Sequence, residues 1–330
     1  MNILITGGAG YIGSHVALHA IDQGCKVTIL DDLSTGSKKN IPKKAKFHLG
    51  STLSMLDLKN ILTKNSFDGI IHLAASKAVG ESMKNPTKYA SNNIVGGINL
   101  INQAIHSGIK YFIFSSTAAI YGSPDYNPID EKHKLNPENY YGFSKLFFEE
   151  NLRWLSSLTN IKICSLRYFN AAGYDSKNRI SVIEKNPQNL IPKVMEVAFG
   201  LREKVFIYGS DYDTIDGTGV RDYIHVSDLA SAHIKAINYL KRSRNSIALN
   251  LGTGIGFSVL EVLQKVSEVC KKDINHEFIN RRLGDPDTVI AKAEKAKTIL
   301  NWKPIYSDLK TIVESSNNAY TRFLKKNNGL

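Results

Sequence analysis

The chain's first fourteen residues constrain its fold most. Met1-Asn2-Ile3-Leu4-Ile5-Thr6 is short and apolar, and it runs directly into Gly7-Gly8-Ala9-Gly10-Tyr11-Ile12-Gly13-Ser14. An apolar run of that length bounded by glycine reads as a buried strand. Ile12 to Gln23 then follows a helical pattern. Each glycine between strand and helix has a separate use. Gly7 permits a tight turn, Gly10 lets backbone approach a pyrophosphate, and Gly13 allows close helix–strand packing. The free N–H groups at the start of the helix suit phosphate oxygens.

The same alternation continues along the first half. Further strands are expected at Lys26 to Leu30, Gly69 to Leu73, Tyr111 to Ser115 and Ile161 to Tyr168, with a helix from Asn92 to Ser107. Strands separated by helices imply right-handed crossovers and a parallel sheet covered on both faces. The expected fold is therefore α/β, a doubly wound parallel Rossmann sheet with a smaller α/β substrate-binding domain. The boundary is placed at residues 1–170 and 171–330, with 222–246 returning to the first domain. After Asn170 loops lengthen and Gly and Asp gather, as from Gly209 to Gly219. Val220 to Asp228 reads as a strand entering a helix, Asn250 to Gly254 as a turn, and Ser258 as the cap of a helix beginning near Val259. Asn327 to Leu330 reads as a frayed end.

With 330 residues, the chain has ample length for a large core, and 42% apolar with 22% charged residues is ordinary for a soluble globular protein. No apolar run approaches the ~20 residues that span a bilayer. The start carries no signal-peptide pattern. Cys25, Cys164 and Cys270 lie far apart without ligand spacing, so neither a metal nor a disulfide framework is expected, and a reducing cytoplasm fits. The net charge of +12 could serve a polyanionic partner or attract a small anionic substrate. The lysines are dispersed and no nucleic-acid-binding motif accompanies them, which favours solvated charge and no nucleic-acid or membrane partner.

Downstream of the glycine turn, Asp31 ends the run Lys26-Val27-Thr28-Ile29-Leu30. A carboxylate at the tip of the second strand can accept from both ribose hydroxyls and repels a 2′-phosphate, so NAD is favoured over NADP. Asp32 is a helper or simply a turn acid. Phe112-Ile113-Phe114-Ser115-Ser116-Thr117 ends a strand in three hydroxyls, at the end that faces the ligand crevice. Tyr141 and Lys145, four apart on a helix, share a face. For Tyr141 to ionise near pH 7 its pKa must fall about three units, roughly 4 kcal/mol. One cation supplies about one to three units. Lys145 and an oxidised nicotinamide together are expected to suffice, and Thr117 to bond both a substrate hydroxyl and the phenol.

Several segments together resemble one family. Gly7 to Ser14, Lys77-Ala78-Val79-Gly80-Glu81-Ser82, Arg167-Tyr168-Phe169-Asn170, Gly217 to Val226 and Arg281-Arg282-Leu283-Gly284-Asp285 are similar to the UDP-galactose (UDP-glucose) 4-epimerases of the extended short-chain dehydrogenase/reductase superfamily. The resemblance implies Tyr141, Lys145 and Thr117 as the catalytic set. It implies cofactor contacts from Gly7, Gly10, Tyr11, Ile12, Gly13, Asp31, Asp32, Ser51, Leu73, Ala74, Lys77, Asn93, Ser115, Tyr141, Lys145 and Tyr168. Substrate contacts are implied for Lys77, Thr117, Tyr141, Phe169, Asn170, Asn189, Leu190, Arg221, Arg282, Asp285 and Val289. Two arginines facing a diphosphate are chemically apt, because guanidinium binds phosphate oxygens bidentately. The implied reaction oxidises the sugar at C4 and returns hydride to the opposite face, with NAD retained, in a homodimer.

Two positions depart from the pattern or refine it. Gly50-Ser51 stands where the family usually has Gly-Asp, which weakens the implied adenine contact. Val289 stands where enzymes restricted to glucose and galactose carry a bulky tyrosine. The smaller residue implies room for UDP-GlcNAc and UDP-GalNAc; ordinary packing of a Val is the alternative. Dehydratases of the superfamily carry Asp-Glu after the strand-end Thr, whereas Thr117 precedes Ala118 and Ala119. Uronate epimerases differ after Tyr168. A non-catalytic NAD-sensing protein would not need Thr117, Tyr141 and Lys145 together.

Overall fold

A computed structural model of the protein describes residues 1–327 apart from Ser181, Lys185, Arg244 and Leu283. The end expected to fray therefore lies, beyond Asn327, outside the described residues, as does Leu283 of the late motif. The chain begins β1 (Asn2–Thr6), α1 (Tyr11–Asp22), β2 (Lys26–Asp31), β3 (Lys46–Leu49), α2 (Met55–Lys64) and β4 (Gly69–His72). It continues α3 (Val79–Lys84), α4 (Pro86–Tyr89), a π-helical turn (Ala90–Val95), α5 (Gly96–His106), β5 (Tyr111–Thr117), α6 (Tyr140–Leu158) and β6 (Lys162–Tyr168). The second half is β7 (Asn170–Ala172), α7 (Leu190–Ala198), β8 (Val205–Tyr208), β9 (Val220–His225), α8 (Val226–Ser243) and β10 (Ile247–Leu251). It closes with β11 (Gly256–Ser258), α9 (Val259–Cys270), β12 (His276–Ile279), β13 (Thr288–Val289), α10 (Glu294–Ile299) and α11 (Leu309–Asn327).

Seven strands form one sheet in the order β10-β6-β5-β4-β1-β2-β3, parallel throughout. The order reverses between β1 and β4, and a crevice opens at the carboxyl ends of strands at such a switch point. Side chains of β1, β2, β4 and β5 are buried on both faces because helices cover both. Ile3, Ile5, Ile29 and Ile71 pack under α1 and α8, while Leu4, Ile70, Phe112 and Phe114 pack under α2, α5 and α6. The expected doubly wound sheet is thus present.

Beside it, β9 pairs with β7, β11 and β13 in a small sheet, and β8 pairs with β12 in a two-stranded one. A separate apolar cluster joins α7, α9 and α11 through Val194, Met195, Val262, Val266, Ile312 and Tyr320. Ser258 caps α9 as expected, in a reciprocal capping box with Glu261.

Three local expectations are corrected. Asn250 and Leu251 do not open a turn; they finish β10, which pairs with β6. The buried Asn250 side chain satisfies its amide within the fold and so hides the strand in the sequence. The segment 222–246 returns to the large sheet only from α8 onward and continues to Leu251, because β9 pairs inside the small sheet. The helix expected from Asn92 is broken at its start by the π-turn, where Asn93 turns inward to Ser76 and Ser144.

Candidate active site

The glycine turn is built as tightly as its sequence implies. Gly7 has φ +72°, and a Cβ there would lie 2.6 Å from the Ala74 nitrogen after β4. A Cβ on Gly13 would lie 2.1 Å from the Gly7 carbonyl oxygen, so α1 can approach β1 only with glycine. Gly10 has one neighbour, the Gly7 carbonyl at 3.2 Å, and otherwise faces open space. Leu73 extends the contact by donating its N–H to the Thr6 carbonyl at 3.0 Å. Tyr11 and Ile12 begin α1 at the mouth of this turn.

Asp31 ends β2 beside it. One carboxylate oxygen accepts from Ala9 N at 2.9 Å and the other from Leu33 N at 2.8 Å. Burial raises its pKa, and the two backbone bonds oppose the shift. Leu33 is held at φ +60° by this arrangement, an uncommon backbone for such a residue. The fixed carboxylate keeps lone pairs for ribose hydroxyls. Asp32 is exposed and accepts from Ser34 N at 2.9 Å, which suits its reading as a turn acid. Ser51 is drawn into a local turn, its N–H on Asp57 Oδ2 at 3.0 Å and its Oγ accepting from Leu53 N at 3.3 Å. A cradle that only glycine fits, closed by a pinned acid, matches a dinucleotide with a free 2′-hydroxyl.

On the other side of the switch point, α6 begins with Asn139 capping Gly142 N at 2.9 Å and Ser82 Oγ accepting from Tyr141 N at 3.1 Å. Lys145 Nζ donates to the Ser115 carbonyl at 2.8 Å. Thr117 ends β5 close enough to the Tyr141 phenol to pull its pKa down, and its hydroxyl accepts from Ala119 N at 3.2 Å. The three expected catalytic side chains are therefore brought together at the end of β5. Burial raises the Tyr141 pKa, with Thr117 opposing the rise, and burial pushes Lys145 down to about 7. Both groups thus lean toward neutrality in the chain alone. The phenol depression assigned jointly to Lys145 and an oxidised nicotinamide is not achieved by the chain without the cofactor's charge.

Ser115 Oγ and the Tyr168 hydroxyl bond each other directly. Lys77 Nζ pairs with Glu184 at 2.5 Å and lies 6.0 Å from the centre of the Tyr11 ring. The Tyr11 hydroxyl donates to the Gly173 carbonyl. Asn93 is buried and braces the segment around Ser76, its Oδ1 accepting from Ser76 N at 2.8 Å. Both amide hydrogens are committed, to the Ser76 carbonyl and to Ser144 Oγ, each at 3.0 Å.

Across the cleft, Asn170 donates to the Asp222 carbonyl at 3.1 Å, and Phe169 is buried against Val289, Ile120 and Ile129. Val289 pairs with Arg221 in the β13–β9 ladder. Arg221 and Asp285 form an ion pair at 2.5 Å, and Tyr212 donates to Asp285 at 3.1 Å. The Arg282 guanidinium stacks over the Tyr208 ring, 3.6 Å from its centre, and its proximity pulls the Tyr208 pKa down. Asn189 stands at the start of α7 with no capping bond from its side chain, and Leu190 is the first helical residue. A cavity of about 640 Å³ opens between Ser123 and Asn127 on one side and Arg282, Asp285 and Thr288 on the other. Sequence reasoning missed Tyr208 and Lys193. Lys193 has its pKa lowered by burial and by the Arg282 charge. The aromatic residue before Gly209 at a strand end was the available signal for Tyr208. Among the described residues no cluster of His, Cys, Asp and Glu could hold a metal ion, and no helix is long and apolar enough to cross a membrane.

Residues 3–252 match the NAD dependent epimerase/dehydratase family. The chain belongs to this family. NAD is accordingly its cofactor. A relative named UDP-glucose 4-epimerase from Streptococcus mutans is 44% identical over 318 residues, covering 96% of each chain. The structure of UDP-glucose 4-epimerase from Bifidobacterium longum, in complex with NAD+ and UDP, superposes with a TM-score of 0.93 at 36% identity over 98% of both chains. The UDP-Glc/GlcNAc 4-epimerase of Campylobacter jejuni superposes with a TM-score of 0.86 at 42% identity, over 97% of this chain and 99% of that one.

Proposed function

We propose that this family member is a UDP-sugar 4-epimerase that interconverts UDP-glucose with UDP-galactose, and UDP-GlcNAc with UDP-GalNAc. The observation that carries the reading is Tyr141, Lys145 and Thr117 converging at the end of β5, next in the sheet to the β4–β1 switch point that holds the glycine cradle. The relatives named UDP-glucose 4-epimerase support the substrate class. Residues 1–170 with α8 and β10 would hold the cofactor, and the remainder of 171–330 the nucleotide sugar.

Bound NAD supplies the hydride acceptor and donor. The chain's own residues bind, orient and move the proton. Tyr141 Oη takes the proton of the sugar 4-hydroxyl, with Thr117 aligning the phenol. Lys145, anchored on the Ser115 carbonyl, favours the phenolate by its charge. Tyr141 returns the proton when C4 is reduced on its other face. Arg221, Arg282, Asp285, Asn189 and Leu190 would retain the nucleotide while the 4-keto sugar turns over, with Arg221 released from Asp285 to meet a phosphate. Lys77, Phe169, Asn170 and Tyr168 line the sugar end. Ser51 would give the adenine amine a weaker acceptor than an acid.

Val289 and the similarity to the Campylobacter jejuni enzyme support the N-acetyl substrates. A homodimer is supported by Phe143, Phe147, Trp154 and Leu158, apolar residues that α6 exposes to solvent. Three free cysteines suit a cytoplasmic setting.

The deciding experiment incubates protein purified without added NAD with UDP-galactose and with UDP-GalNAc, following both by proton NMR. Conversion of both is expected. Conversion of UDP-galactose alone removes the N-acetyl substrates, and conversion of neither after NAD is supplied overturns the reading. Val289→Tyr is expected to suppress the N-acetyl reaction and spare the other. Trp154→Glu is expected to shift the protein from dimer to monomer in sedimentation velocity.

A further inference from the structure

A buried polar network lies just behind the reacting groups. Ser116 and Arg167 are register partners on β5 and β6, so their side chains leave the sheet on one face. Glu149 of α6 receives both. It accepts from Ser116 Oγ at 2.7 Å, from Arg167 Nε at 2.9 Å, and from Arg167 Nη2. Arg167 Nη1 donates to the Tyr121 hydroxyl at 3.0 Å, which donates to Asn250 Oδ1 at 2.7 Å. All five side chains belong to residues no more than 5% exposed.

Glu149 follows Lys145 by four residues and Tyr141 by eight, so one face of α6 carries the base, the cation and this acid. Ser116 sits between Ser115, whose carbonyl holds Lys145, and Thr117, whose proximity pulls the Tyr141 pKa down. One tie therefore sets both contacts. A buried ion pair is a poor device for stability alone, since apolar groups of similar volume often serve as well or better. Its value lies in fixing one geometry.

We propose that Glu149 and Arg167 are positioning residues whose pair fixes the register of α6 against the ends of β5 and β6. They thereby hold Tyr141 at Thr117 and Lys145 at the Ser115 carbonyl. The inference rests on Tyr141 being the base of the reaction proposed above.

The test replaces the pair by apolar groups, Glu149→Leu with Arg167→Met, and compares Tm, bound NAD per chain, kcat, KM and the pH profile of kcat/KM for UDP-galactose. Tm and bound NAD are expected to stay near wild type. KM should stay within about twofold while kcat falls at least about tenfold, the signature of lost transition-state alignment. The acid limb of the profile should move to higher pH. Arg167→Lys, which keeps the charge and loses the fork, should recover part of kcat. An unchanged kcat and profile overturns the proposal, and so does a loss that merely tracks folded protein or bound NAD. If the double variant does not fold, Glu149→Gln carries the same comparison. Should wild type turn over no UDP-sugar, the epimerase reading falls separately. Ultraviolet difference titration against Tyr141→Phe then reads the phenol directly, and an identical phenol pKa in wild type and variant overturns the positioning role.

Discussion

Folding changes the chemistry of Lys145. Its ammonium has a folded pKa of about 7 against 10.5 for the free group, because burial disfavours the charge. Between those values the unfolded chain binds a proton that the folded chain does not. Stability of the cofactor-free protein should therefore rise with pH across that window, by up to about 1.4 kcal/mol per unit for one proton, and the slope should vanish below about pH 7. Urea midpoints from pH 6 to 9, wild type against Lys145→Met, check this. A variant that climbs as steeply as wild type would show that another group is responsible. Tyr141→Phe removes the proton acceptor and leaves the cradle untouched, so kcat should fall by about 10²–10⁴ with NAD still bound. A coupled assay with an absorbance measure of bound cofactor checks it. Tyr141, Lys145, Thr117 and Asp31 were legible in the sequence because each sits at a fixed offset from a strand or helix end. Tyr208 and Lys193 were not, because Arg282, which gives them meaning, approaches only through the fold.

At the scale of elements, the β1–α1 turn shows how a local sequence can dictate a long-range contact. Gly13→Ala would place a Cβ 2.1 Å from the Gly7 carbonyl oxygen. α1 must then move away from β1, at a cost of about 1–3 kcal/mol as for other overpacked sites. The expected result is a lower urea midpoint and protein that purifies with little NAD, read from its absorbance ratio. A Gly13→Ala protein with full NAD and wild-type stability would contradict the close approach. The strands with continuous apolar runs were legible for the same reason that they are buried on both faces. The edge strand β3 was not, since Lys46-Phe47-His48-Leu49 is short and largely exposed. β10 was not either, since Asn250 near its end looks like a turn residue until Tyr121 and Ile129 satisfy its amide.

At the scale of the whole molecule, His15, His72, His225 and His233 are buried and held neutral. Burial lowers His15 and His233 to about 4, and His72 and His225 to about 3, from 6.5. Their folded pKa values are depressed, so the unfolded chain takes up protons first as pH falls below 6.5. Their contribution to stability should be full above that value and decline toward pH 4, each histidine adding up to about 1.4 kcal/mol per unit. A steep fall in urea midpoint between pH 6.5 and 5, shallower in His72→Gln, checks the assignment. His15 and His225 lie where α1 and β9 meet the segment around Gly173, so acid is expected to loosen that junction. The sequence by itself determined the parallel sheet, the tight glycine turn between β1 and α1, the acid at the end of β2, and the placing of Tyr141 and Lys145 on one helix face with Thr117 at a strand end. Those features depend on spacing along one element or between an element and the loop that follows. Only the tertiary structure decided that Asn93 is a brace, that β9 leaves the large sheet while α8 and β10 rejoin it, and that Glu149 meets Arg167. Those pairings join residues distant in sequence, and packing and the pairing of buried polar groups select among partners that the chain's order leaves open.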